Sequence, residues 1–111
     1  MRRRHLLAVA LAAALGTAFP ATAATPTYKG TVGPGFTIAM AKKPRTAGKI
    51  VLVVSDKSDF HNFHLTGPGV NVKTAVPAIG SKTFRVTLKK GTYRFVCDPH
   101  ASSMKGSFKV S

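Results

Sequence analysis

The sequence predicts an all-β domain, a sandwich or small barrel of short strands, on three observations. Apolar residues alternate with polar ones in several short segments, or run together as β-branched stretches, which is the patterning of strands. Glycine and proline interrupt the chain between these segments, at Gly33-Pro34-Gly35, Pro44, Gly67-Pro68-Gly69, Pro77 and Gly80. Helical periodicity is sustained nowhere after residue 24. Short strands with frequent turns and no helices build sandwiches and barrels.

The first segment stands outside that domain. Met1-Arg2-Arg3-Arg4-His5 is a positive head, Leu6 to Phe19 is an apolar run rich in alanine and leucine, and Ala21-Thr22-Ala23 is a small-x-small cleavage box. This is the layout of a secretory signal peptide over residues 1–23, removed to leave a domain at residues 24–111. The apolar run is shorter than the ~20 residues of a spanning helix. No cysteine follows it to carry a lipid. The expected product is exported, to a periplasm or the cell exterior, with no stable membrane anchor.

The strands follow in order. Phe36-Thr37-Ile38-Ala39-Met40 alternates, and Ile50 to Val54 is a continuous β-branched run of the kind buried on both faces. His61, Phe63 and Leu65 share one parity, with Asn62 and His64 on the other. Phe84, Val86 and Leu88 alternate with Thr83, Arg85, Thr87 and Lys89. The turn at Lys90-Gly91 leads into Tyr93, Phe95 and Cys97 on one face, with Thr92 and Arg94 on the other. Phe108 and Val110 lie on a last strand.

Composition narrows the function. With 111 residues and 44% hydrophobic content the chain is one globular domain, neither a disordered tail nor a fibre. Removing the signal takes three arginines with it and lowers the formal charge from +14 to +11. Apart from Lys42-Lys43-Pro44-Arg45 the cations are spread along the chain, and Arg85 and Lys89 have the outward parity of solvated charges. The nine aromatics mostly have inward parity and no nucleic-acid motif is present, so the charge is read as a solvated coat and a steering field. Three aspartates and no glutamate offer neither a paired-carboxylate site nor a Ser-His-Asp arrangement, and an enzyme is not expected. The one cysteine, Cys97, excludes an internal disulfide and any metal site with two thiolates. In an oxidising compartment a lone thiol needs protection, by burial or by a metal.

Chemistry concentrates in two segments, Asp59-Phe60-His61-Asn62-Phe63-His64-Leu65 and Cys97-Asp98-Pro99-His100-Ala101-Ser102-Ser103-Met104. A thiolate, an imidazole three residues on and a thioether four beyond that, with one imidazole from a strand upstream, form a set that favours copper. In such a site two histidines and a cysteine bind in a plane and a methionine sits at long range on the axis. His61 shares the parity of the core residues Phe63 and Leu65 and is the preferred upstream ligand; His64 is the alternative ligand, or a group behind the ligands. Asp98, beside the thiolate, either tunes the site and its docking face or caps the turn before Pro99.

These residues resemble the cupredoxins, the small blue-copper proteins of the plastocyanin, amicyanin and pseudoazurin group. The resemblance spans roughly Phe36 to Val110. Its carriers are His61-Asn62-Phe63-His64, similar to the His-Asn-x-His stretch of amicyanin, the strand Gly91 to Cys97, and Cys97-Asp98-Pro99-His100 followed by Met104-Lys105-Gly106. It implies a Greek-key sandwich with one type 1 copper ion on His61, Cys97, His100 and Met104. It also implies that Asn62 hydrogen-bonds across to the cysteine loop. The spacing from His100 to Met104 is one residue longer than in the amicyanin-like loop and one shorter than in the plastocyanin-like loop. The implied function is a one-electron carrier, expected to be a monomer; the +11 charge, unlike the acidic surface of many relatives, separately favours a redox partner with an acidic docking face. A copper-delivery module of the same fold, and a metal-free sandwich binding polyanions, are the alternatives.

Overall fold

The structure, a computed structural model, describes residues 24–111. The expected signal peptide at 1–23 lies outside the described residues. The described residues form eight strands in two four-stranded sheets: β1 (Thr27–Val32), β2 (Ile38–Met40), β3 (Gly48–Asp56), β4 (His64–Gly67), β5 (Val70–Lys73), β6 (Gly80–Leu88), β7 (Gly91–Val96) and β8 (Lys105–Val110). One sheet has the order β2-β1-β3-β6 and the other β5-β4-β7-β8. The chain crosses between sheets after β3, returns after β5 and crosses again after β6, the interleaving of a Greek key. Among the described residues only β1 and β3 pair in parallel; the other pairs are antiparallel.

The inner faces supply the core: Val32, Met40, Ile50, Leu52 and Val54 from the first sheet, and Leu65, Tyr93, Phe95, Phe108 and Val110 from the second. Phe63 stacks on Phe95 and Tyr93 on Phe108, with ring centroids 5.5 and 5.2 Å apart. The Tyr93 hydroxyl, at the far end from the cysteine, accepts from the Lys89 amide and donates to the Pro68 carbonyl, both at 2.9 Å. A large ring is thereby buried without an orphaned polar tip.

Three expectations shift in detail. The segment from Phe36 becomes a strand only at Ile38, and Phe36 itself is exposed. Val51 and Val53 are half-buried, because the outer face of β3 looks to solvent and not to a second layer. His61, Asn62 and Phe63 precede β4, so strand parity does not govern them. Asn62, expected to face outward, is buried.

The cations line the outer faces: Lys29, Lys49 and Arg85 on one sheet, Lys73, Arg94, Lys105 and Lys109 on the other, all exposed. Asp56 has the opposite placement. It ends β3 with inward parity at 3% exposure; one carboxylate oxygen accepts from the Ser58 amide at 3.0 Å and the other has no partner. Burial raises its pKa above the usual 3.8, against the Ser58 hydrogen bond and the field of His61, both of which lower it. A carboxyl whose folded pKa is raised binds its proton more tightly when folded, so its contribution to stability falls as pH rises above 3.8. Asp56→Asn is therefore expected to melt higher than the parent at neutral pH, with the difference closing below pH 3.8. Thermal melts across pH check this.

Candidate metal centre

The register of β4 and β7 brings the two chemical segments together. His64 lies opposite Val96, so the ladder ends where β7 delivers Cys97, with the His61–Phe63 approach to β4 alongside. That approach is held by one backbone and two side-chain hydrogen bonds to Thr74 in place of a ladder. The Phe63 amide donates to Thr74 Oγ1 at 2.9 Å, the Thr74 amide donates to the Phe63 carbonyl at 3.0 Å, and Asn62 Nδ2 donates to the Thr74 carbonyl at 3.4 Å.

After Cys97 the chain makes one 3-10 turn, Asp98–His100, with Pro99 fixing its start. The loop then closes on itself. The Cys97 amide donates to the Met104 carbonyl at 3.0 Å, and the Met104 amide to the His100 carbonyl at 2.8 Å. Cys97 and Met104 both belong to the buried core.

Three donor atoms converge at the end of the sandwich. Cys97 Sγ lies 3.6 Å from His61 Nδ1 and 3.5 Å from His100 Nδ1, and the two nitrogens are 3.1 Å apart. His61 Nε2 is 2.7 Å from the Gly35 carbonyl. A carbonyl only accepts, so Nε2 carries a proton, which leaves Nδ1 as the nitrogen that faces the sulfur and can offer a lone pair to a metal. First-row metal bonds of ~2.0–2.3 Å to nitrogen and sulfur place donors roughly 3.5–4 Å apart in a trigonal plane, close to the separations seen here. Soft sulfur with two imidazoles, held this way with Cys97 and His61 buried and His100 half-buried, fits a copper ion. The Asn62 amide points at Sγ from 3.5 Å, a donor toward a thiolate.

His64 stands outside this cluster, with Nδ1 2.8 Å from Asp98 Oδ1 and Nε2 2.6 Å from Asn71 Oδ1. Asp98 is not a turn cap. Its second oxygen accepts from Asn62 Nδ2 at 2.8 Å, while its amide donates to Asn62 Oδ1 at 2.7 Å. The cross-link between the two segments is thus a two-bonded clasp of Asn62 and Asp98. Burial disfavours the Asp98 anion, but the hydrogen bonds from Asn62 and His64 and the positive fields of His64 and Lys73 outweigh it and hold the carboxyl below its usual range.

Two aromatic residues roof the site, Phe36, whose alternation with Ile38 and Met40 predicts an inward position, and Phe60. Phe36, 65% exposed, meets His100 edge-on at 5.0 Å and His61 at 5.3 Å; Phe60, 46% exposed, lies 4.1 Å from the His61 ring. With Pro99 and Ala101, both exposed, they form an apolar rim around the half-buried His100. Phe60's position next to His61 was the available signal; Phe36 reaches the site through the Gly33-Pro34-Gly35 turn, which also supplies the carbonyl to His61.

A two-sheet Greek-key sandwich with a Cys-His-His cluster and a buried methionine at one end defines a type 1 copper-like protein. Residues 34–111 match the family described as copper binding proteins, plastocyanin/azurin family. The chain belongs to that family, which agrees with the resemblance seen in its motifs. Among solved structures, reduced rusticyanin matches with a TM-score of 0.62 at 19% identity, over 79% of this chain and 81% of that one. Reduced auracyanin from the photosynthetic bacterium Roseiflexus castenholzii matches with a TM-score of 0.51 at 22% identity, over 78% and 96%. Both are likenesses of fold. No curated protein matches the sequence significantly.

Proposed function

We propose that the chain is an exported carrier of single electrons, not an enzyme, with one type 1 copper ion that His61, Cys97, His100 and Met104 would hold. The observation that carries this reading is the convergence of Sγ and the two Nδ1 atoms within 3.1–3.6 Å of one another. Bound copper supplies a reversible one-electron couple. The chain's own part is rigidity and shielding. Cys97 would bind the ion as the thiolate, its proton passing to solvent, and the Asn62 backbone N–H already faces its sulfur. Gly35 fixes the tautomer of His61, and the β4–β7 ladder and the closed Cys97–Met104 loop hold the donors in one arrangement, so that little rearranges when the charge changes.

His100 reaches the surface within an apolar rim, which suits brief, close contact with a partner. The +11 of residues 24–111 favours a partner with an acidic docking face and an encounter rate that falls with added salt. Residues 1–23 are proposed to direct export to a periplasm or the cell exterior. Among the described residues no helix is long and apolar enough to cross a membrane.

Electrochemistry of the copper-loaded protein separates a carrier from a delivery module. A carrier gives a reversible couple over repeated cycles and keeps its Cu(I) when challenged with a Cu(I) chelator. Loss of Cu(I) within each cycle assigns delivery instead. Tight retention on immobilised polyanion at physiological salt, with no colour on adding copper, would contradict both.

A further inference from the structure

We propose that His64 is a positioning residue of the metal centre, acting through Asp98 and Asn62 on the cysteine sulfur. Its consequence at the metal rests on the copper reading above, whereas the linkage belongs to the chain itself. A continuous series of contacts runs from the second sheet to the thiol. Asn71 in β5 meets His64 Nε2 at 2.6 Å, His64 Nδ1 meets Asp98 Oδ1 at 2.8 Å, and Asp98 Oδ2 accepts from Asn62 Nδ2 at 2.8 Å. The backbone N–H of Asn62 in turn donates to Cys97 Sγ at 3.5 Å.

His64 matters because of what Asp98 lacks without it. The Asp98 side chain is 42% exposed and that of His64 19%. With both oxygens engaged, the carboxylate has one orientation; with Oδ1 released, it can turn to water and draw Asn62 Nδ2 with it. Lys73, opposite His64 in the β4–β5 register, adds a positive field but no hydrogen bond to Asp98. Asn62 already spends Oδ1 on the Asp98 amide and Nδ2 on Asp98 and Thr74, so loosening one bond loosens the segment that follows His61. Hydrogen bonding around the cysteine sulfur is a lever on such a site's potential, and partners behind metal ligands typically govern affinity by ~10–100-fold.

The test reads amide hydrogen exchange of Asp98 by NMR, in the metal-free chain and in the Cu(I)-loaded chain. His64→Ala is expected to accelerate it about tenfold and to speed copper release to a chelator by a similar factor. His64→Asn, whose amide nitrogen falls where Nδ1 lies, is expected to return both to within about threefold of the parent. In an Asp98→Ala background, His64→Ala should change copper release less than about twofold, since the route is already cut. Exchange and release within about twofold of the parent in His64→Ala would overturn the proposal, as would an undiminished His64→Ala effect in the Asp98→Ala background. If the parent never develops a thiolate-to-copper band, the copper reading fails on its own, and metal-free exchange still decides the role of His64.

Discussion

Cys97→Ser is expected to fold as the parent does while losing its intense copper colour and binding Cu(I) more than about a hundredfold more weakly. Cys97 is fully buried, with both Nδ1 atoms within 3.6 Å of its sulfur. A serine hydroxyl in that place can donate to one of those nitrogens, so the metal-free chain loses no buried partner. What it loses is the one soft, ionisable donor of the set. His61→Ala should remove the colour as well, whereas His64→Ala should keep it, because the nitrogens of His64 face Asp98 and Asn71. Competition against a Cu(I) chelator, visible spectra and melts of the metal-free variants check these outcomes together. Colour that survives Cys97→Ser would contradict the assignment.

Gly67→Ala carries the second large effect, on the fold itself. A Cβ at Gly67 would lie 2.2, 2.6 and 2.7 Å from Cδ1, Cε1 and Cγ of Tyr93. The ring cannot retreat: Tyr93 is fully buried, stacked on Phe108 and tied by its hydroxyl to Lys89 and Pro68. Overpacking of this kind costs about 2–3 kcal/mol or more, which in a domain this small lowers the melting temperature by roughly 10–20 °C. The loss falls at the end of β7 away from Cys97, so copper bound by the folded fraction should retain its colour. A melting temperature within about 3 °C of the parent would show that the Tyr93 ring is freer than its hydrogen bonds imply.

What the sequence made legible follows the reach of local patterning. Tyr93 and Phe95 alternate inward along β7, which pairs on both sides, and Cys97 follows it in extended backbone, so parity carries on and the thiol falls in the core as expected. His61 is also buried, but for another reason. It lies before β4, and its orientation comes from the Gly35 carbonyl 26 residues upstream. Asn62 shows the same limit with the opposite result: alternation pointed it to solvent, while its carboxamide turns inward to Thr74 and Asp98. Phe36 alternates with Ile38 and Met40 like a core residue yet sits, with Phe60, in a loop over the histidines, an exposure that its periodicity does not encode. The role of Asp98 depended on the β4–β7 register, a long-range pairing that brings His64 within 2.8 Å of it.

Titration of the purified metal-free protein with Cu(II), followed by its visible spectrum, tests the central claim most directly. The expected result is an intense thiolate-to-copper charge-transfer band that saturates at one equivalent, bleaches on one-electron reduction and returns on reoxidation. A colourless complex, or binding with no end point at one equivalent, would contradict it.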